Sequence, residues 1–268
     1  MRHHAKLAAR SLLALTAATA LLVPLAACGS DDTSSAGTDD AATGEESATL
    51  TVLAAASLTD VFEEAKEVYE DANPGTTLEF SFAGSQELVA QVEQGAPADV
   101  LVTADTPTMD GVADETAVDP VVIARNALTI VTPPDNPAGV AALADLADPD
   151  LRLVLAAPEV PAGRYGRQIL EAQGVEATPD SEEPNVRAVL GKVQLGEADA
   201  GLVYVTDATA AGDGVATVEI PEDQNVTAEY PAAPLADSAH PEAAADFVAW
   251  LSSAEAQALL TGAGFQAP

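Results

Sequence analysis

Residues 51–65 read TVLAAASLTDVFEEA, an apolar strand that passes into an amphipathic helix with only small residues and Ser57 at the handover. LTVLAA (50–55) has the apolar, β-rich character of a buried strand, and the segment after it places Leu58, Val61, Phe62, Ala65 and Tyr69 on one helical stripe. Ser57 and Asp60 match the capping box S-x-x-D, so local chemistry predicts that the serine caps this helix.

The same unit then recurs. LEFSF (78–82) leads through Ala83, Gly84 and Ser85 into a helix with Leu88, Val89 and Val92 inward, stopped at Gly95. DVLVTAD (99–105) is a third strand, apolar enough to be covered on both faces. After ALTIV (127–131) and the turn-rich TPPDNPAG, LRLVLAA (151–157) is again a strand, PEVPAG a turn, and RYGRQILEAQ a helix closed by Gly174. Pro184 and Asn185 open a helix with Val186, Val189, Leu190 and Val193 inward and Gly196 at its end; GLVYV (201–205) is a buried strand followed by TDA. An extended piece, TAEYPAAPLA, precedes one last helix carrying Ala244, Phe247, Val248, Leu251 and later Leu259. This alternation predicts an α/β fold with mostly parallel strands. Two sets with a return connection predict two lobes, 49–126 with 230–268 and 127–229.

The ends of the chain carry a different message. Residues 1–27 hold Arg2, Lys6 and Arg10, no acid, and an apolar run from Leu12 to Leu25, which is a secretory signal too short for a stable membrane span. It ends LAAC, and Cys28, the only cysteine of 268 residues, looks like the lipid-acceptor cysteine of a lipobox. Residues 28–48 are small, polar and acidic beyond that cysteine, with nothing large enough to offset the entropy of ordering them, and read as a disordered tether. The expected location is the outer face of the cell membrane, lipid-anchored.

The full chain has a formal charge of −33, and removal of the leader's three basic residues takes it to −36. Nucleic acid is excluded as a partner, since a phosphate-backbone site needs a basic stripe and the basic residues here are scattered. Beyond the leader the only histidine is His240, so neither a Ser/His/Asp triad nor a histidine metal cluster can be assembled. AGSQE around Ser85 lacks the second glycine of a nucleophile elbow, and no glycine-rich nucleotide loop has the right spacing. The chain reads as a binding protein and not an enzyme, with no cofactor.

In open α/β sheets, ligands bind beyond the carboxyl ends of strands, where helix N-termini present free N–H groups. The turns AAAS ending at Ser57, AGS ending at Ser85, VPA ending at Ala162 and PNV ending at Val186 occupy such positions, and Tyr204 near its strand's carboxyl end can add a phenolic donor. Each has a purely structural alternative. Ser57 and Ser85 can cap their own helices, Pro161 and Pro184 can be first-turn prolines, and Tyr204 can be a core aromatic with its hydroxyl on a backbone carbonyl. Arg164 and Arg187 each follow one of these positions closely and are expected to point outward and serve the acidic surface.

AAASLTD, SFAGSQELVAQVEQGAPADVLVTAD, VPAGRY, NVRAVLGKVQLGEADAGLVYVTDA and FVAWLSSAEAQALLTGAGF together resemble the periplasmic molybdate-binding proteins of molybdate ABC transporters, in order from about Thr49 to Phe265. The resemblance implies a type II periplasmic-binding-protein fold: two α/β lobes, two crossover strands as hinge (ALTIV and AEYPAAP), and a ligand cleft between the lobes. It implies an oxyanion, molybdate and by size tungstate, held by Ser57, Ser85, the backbone amides of Ala162 and Val186, and Tyr204, with no direct protein–metal bond. Gly84 departs from the pattern, since related sequences often carry serine or alanine there, and that puts the second loop's extra donors in doubt. The implied partners are the oxyanion, a membrane permease and, through Cys28, the membrane itself, with the protein a monomer. A receptor of the same fold for another oxyanion such as sulfate, and a secreted serine hydrolase using Ser57 or Ser85, remain as alternatives.

Overall fold

The strand that opens at residue 48 has a neighbouring strand on each edge. β1 (Ala48–Ala55) pairs in parallel with β2 (Thr76–Ala83) on one side and β3 (Val100–Val102) on the other, and Leu50, Val52 and Ala54 are fully buried. The structure is a computed structural model that describes residues 47–268, so the leader, Cys28 and the tether up to residue 46 lie outside the described residues. Ala48, assigned to the tether from composition, is already the first residue of β1.

Helix α1 (Thr59–Ala72) lays Val61, Phe62, Ala65 and Tyr69 onto this sheet, the stripe that its spacing predicts. α2 (Ser85–Glu93) follows β2, and α3 (Thr106–Asp110) follows β3. The long β4 (Val121–Thr132) then leaves this half of the molecule. The second half repeats the plan with β5 (Leu153–Ala156), α4 (Pro161–Ala172), β6 (Ser181–Glu183), α5 (Val186–Gln194), β7 (Ala200–Tyr204), α6 (Val205–Ala211) and β8 (Ala216–Val218). β9 (Thr227–Pro234) returns, and α7 (Pro241–Trp250) and α8 (Ala254–Gly262) close the chain.

Strand order is β2-β1-β3-β9-β4-β7-β5-β6, with β8 also on β4. β4 serves both halves: its residues Val121–Ala127 pair with β9, and Leu128–Thr132 pair with β7 and β8. At roughly 3.3 Å per residue its 12 residues span about 40 Å, which is what lets one strand belong to two half-sheets. β9 likewise pairs with both β3 and β4. The fold is therefore two-lobed, a first lobe around β1–β3 and a second around β5–β7, joined by β4 and β9.

Several expectations need correction. The sheet is mixed and not mostly parallel: β1–β2, β1–β3, β5–β6 and β5–β7 are parallel, but every pairing of β4, β8 and β9 is antiparallel. Two strands that carry the chain out and back between lobes must run in opposite directions, and strand composition does not register that. The third strand stops at Val102, because Asp105 turns the chain by accepting the N–H of Thr108 at 3.0 Å and capping α3. β7 ends at Tyr204, and TDA is the first turn of α6. The single last helix is two, interrupted before Ser253, whose hydroxyl accepts the N–H of Ala256 at 3.2 Å. β8, three residues long, is too short to set a strand-like pattern in the sequence.

Around α1, β2 and α7 the aromatic residues Phe62, Tyr69, Phe80, Phe82, Phe247 and Trp250 gather into one cluster. Tyr69 meets Phe247 edge-on at 5.0 Å between ring centroids, and Phe62 lies 5.5 Å from Phe80. Because β9 runs back into the first lobe, α7 and α8 pack on the lobe that began the chain. No described helix is long and apolar enough to cross a membrane.

Candidate functional site

A small pocket lies where the strands of the two lobes hand over to their helices. Its lining includes Ser57, Ser85, Ala162, Val186 and Tyr204, so the structure brings all the sequence-derived candidates to one place. Ser57 sits in a short 3-10 turn between β1 and α1; Ser85 is the first residue of α2, Ala162 the second of α4, Val186 the first of α5, and Tyr204 the last of β7. The remaining lining is small or neutral: Ala55, Ala56, Ala83, Gly84, Ala104, Val160, Pro161 and Asn185. No charged side chain lines the cavity.

The helices aim at it for local reasons. Pro161 occupies the first position of α4, where a missing N–H costs nothing, so Ala162 supplies the first amide donor. Gly163 allows α4 to start so close to β5, since a Cβ there would stand 2.0 Å from the carbonyl oxygen of Ala157. Asn185 caps α5 by accepting the N–H of Ala188 at 2.9 Å, which leaves the Val186 amide outside the helix's own bonding. Pro184 precedes that cap and is not a first-turn proline. The positive ends of α2, α4 and α5 thus converge on an uncharged, small-residue pocket.

The hydroxyls do not serve as helix caps. Neither Ser57 nor Ser85 makes a side-chain cap bond. Ser57 Oγ lies 2.9 Å from Tyr230 Oη, and Ser85 Oγ accepts the N–H of Ala104 at 3.0 Å, which leaves the serine proton free to turn toward the cavity. Tyr204 Oη is buried without a hydrogen-bond partner. Burial, reinforced by the neighbouring Tyr230, pushes the Tyr204 hydroxyl well above its ordinary pKa, so it is a neutral donor throughout the physiological range.

Residues 50–266 match the family of bacterial extracellular solute-binding proteins. The chain belongs to that family. It is 40% identical over 250 residues to the molybdate-binding protein ModA of Mycobacterium tuberculosis, a match that covers 92% of this chain and 95% of that one. Among solved structures it is similar to the periplasmic molybdate-binding protein of Azotobacter vinelandii, at 20% identity and a TM-score of 0.70 over 82% of this chain and 99% of the other. It is also similar to the sulfate-binding protein SubI of M. tuberculosis, at 20% identity and a TM-score of 0.74 over 82% and 87%.

The solute-binding protein holds its cleft together with charges set back from the cavity, and here the expectation of two outward-pointing arginines fails. Arg164 on α4 pairs with Asp105, a fully buried carboxylate at the cap of α3 in the other lobe, and donates to the Glu159 carbonyl at 3.2 Å. Arg187 on α5 reaches Asp60 of α1 across the cleft and lies with Nε 2.7 Å from Oδ1 of the buried Asp207. Asp60 therefore pairs with Arg187 and does not complete a capping box. Gln86 Nε2 donates to the carbonyl of Pro184 at 2.8 Å, again between lobes. Gly84 faces that same carbonyl, and a Cβ at this position would stand 2.4 Å from it. The departure at Gly84 thus coincides with a close approach of the two lobes. Tyr230, which backs Ser57 from β9, and Asn126, which backs Tyr230 from β4, carry no local signal in the sequence. Among the described residues no cluster of three or more His, Cys, Asp or Glu is placed to hold a metal ion.

Proposed function

We propose that this solute-binding protein captures molybdate, and tungstate by the same contacts, and delivers it to the permease of an ABC transporter while tethered to the membrane through Cys28. The observation that carries the reading is a pocket between the lobes that offers hydrogen donors from three helix ends and three hydroxyls but no charged side chain. A buried dianion with no partner costs tens of kcal/mol, so its site must present many donors at once. Hydrogen bonds to charged groups contribute roughly 1.5–3 kcal/mol each, and each helix N-terminus about 0.3–1, up to ~2 when partly buried. Half a dozen such contacts hold the anion without a salt bridge. Donors supplied by Ser57, Ser85, Tyr204 and the amides of Ala162 and Val186 suit an anion that only accepts, whereas the proton of hydrogenphosphate finds no carboxylate in the lining and could be taken only by a hydroxyl that gives up its own donation to the anion.

The assignment of molybdate over sulfate leans on the 40%-identical relative named for molybdate, because donor chemistry alone does not separate the two. In this reading the lobes are 48–126 with 230–268 and 127–229, the body is a monomer that needs no cofactor and catalyses nothing, and residues 28–47 are the tether. Isothermal titration with molybdate, tungstate, sulfate and phosphate tests it: tight binding of the first two with at least a hundredfold weaker phosphate is expected. Equal affinity for phosphate would refute the donor-only site. Cys28→Ser should release a folded, ligand-competent protein from the membrane fraction, and its retention there would refute the anchor.

A further inference from the structure

Ser57 has an orientation problem that the cavity alone does not solve. A serine hydroxyl both donates and accepts, and only a proton turned into the cavity helps an anion. Ser57 Oγ and Tyr230 Oη are 2.9 Å apart and either could donate to the other. The direction is fixed one step further back. Asn126 Nδ2 faces Tyr230 Oη at 3.5 Å and donates to Thr206 Oγ1 at 2.8 Å, while Asn126 Oδ1 accepts the N–H of Ala127 at 3.0 Å. Flipping the amide would set two donors against each other at Ala127, so the side chain's orientation is determined by the backbone. A donor therefore points at Tyr230 Oη, and Ser57 Oγ is the acceptor within hydrogen-bond distance of the tyrosine proton.

We propose that Tyr230 is a positioning residue: held by Asn126, it donates to Ser57 Oγ and so turns the serine proton toward the bound oxyanion. Tyr230 is fully buried, stands behind Ser57 outside the cavity lining, and is itself fixed by edge-on contacts with Tyr204 at 5.7 Å and Phe265 at 5.3 Å between ring centroids. Tyr230 belongs to β9 and Asn126 to β4, so the relay begins in the two strands that join the lobes and ends at the ligand. The proposal rests on the oxyanion reading of the cavity.

A double-mutant cycle tests it, with molybdate titrated into the wild type, Tyr230→Phe, Ser57→Ala and the double variant. Tyr230→Phe is expected to weaken binding about tenfold in the wild-type background and less than twofold in the Ser57→Ala background, because without the serine hydroxyl there is nothing left to orient. Asn126→Ser, a second route to the same relay, should show a smaller loss that disappears in the same way. A merely structural tyrosine would give the same loss in both backgrounds, and that additivity, or a Tyr230→Phe variant that binds as tightly as the wild type, overturns the proposal while leaving the oxyanion reading intact. A wild-type protein that binds no molybdate overturns both.

Discussion

Tyr204 carries a buried hydroxyl that makes no well-formed hydrogen bond inside the protein, an arrangement that costs stability until a ligand accepts from it. Tyr204→Phe should therefore leave the empty protein as stable as before or up to about 1–3 kcal/mol more stable, and weaken molybdate by roughly 10–150-fold. Thermal melting and titration of the same variant check the two halves, and a variant that loses stability but keeps affinity would make Tyr204 an ordinary core residue. Asp207 gives a second residue-scale prediction. Burial raises its carboxyl from an ordinary 3.8 to about 6, with Arg187 opposing the rise. The folded state thus binds this proton more tightly than the unfolded chain, so the group's stabilising contribution is present below about pH 3.8 and lost as pH rises through about 6. Relative to the wild type, Asp207→Asn should show a flatter fall in melting temperature between these limits; identical profiles would remove Asp207 from the pH dependence.

Among the secondary-structure elements, the starts of α2, α4 and α5 do most to shape the site, and their contacts across the cleft set how closely the lobes meet. Gly84→Ala places a methyl group against the Pro184 carbonyl, and overpacking of this kind costs about 1–3 kcal/mol. Because the contact lies between lobes, the variant should lose about tenfold or more in molybdate affinity with little change in the melting temperature of the empty protein. An unchanged affinity would show that closure does not require this approach. Arg164→Gln strands the fully buried Asp105; with Arg164 itself about a third exposed, a cost of roughly 1–3 kcal/mol is expected, between that of an exposed pair and a buried one. That is more than a surface arginine would give, and titration with the melting curve measures it. The elements themselves were largely legible from periodicity. α1 and α5 bury the stripes their spacing indicates, and Gly95 and Gly196 end α2 and α5 at positive φ of 74° and 70°. What the spacing hid were short turns made by single side chains, such as Asp105 at α3 and Ser253 at α8.

For the whole molecule, the controlling quantities are net charge and the two-lobed closure. Ligand at about 100 times its Kd should add ~2.7 kcal/mol of apparent stability, several degrees of melting temperature at roughly 2–4 °C per kcal/mol. A charge of −33 on the full chain repels an approaching anion. Raising ionic strength from 0.01 to 0.15 M shortens the screening length from about 30 to about 8 Å, so the association rate should rise with salt while dissociation changes little. Stopped-flow titration checks this, and an association rate that falls with salt would mean the cleft attracts the anion by charge.

The sequence by itself determined the strand–helix alternation, the two-set organisation and the location of Ser57, Ser85, Ala162, Val186 and Tyr204 at handovers from strand or loop to helix, because hydrophobic period, prolines and caps act within a few residues of one another. It also assigned Ser57 a capping role that its neighbours suggest but the fold does not use. Only the tertiary structure decided what Ser57 faces: Tyr230 lies 173 positions away, and Asp60, its supposed capping partner, is taken by Arg187 127 positions on. It likewise turned two arginines expected in solvent into bridges between lobes and ran β4 and β9 antiparallel through a sheet that reads as parallel. Those outcomes depend on which distant surfaces the crossover strands bring together, and a local pattern of residues carries no term for that.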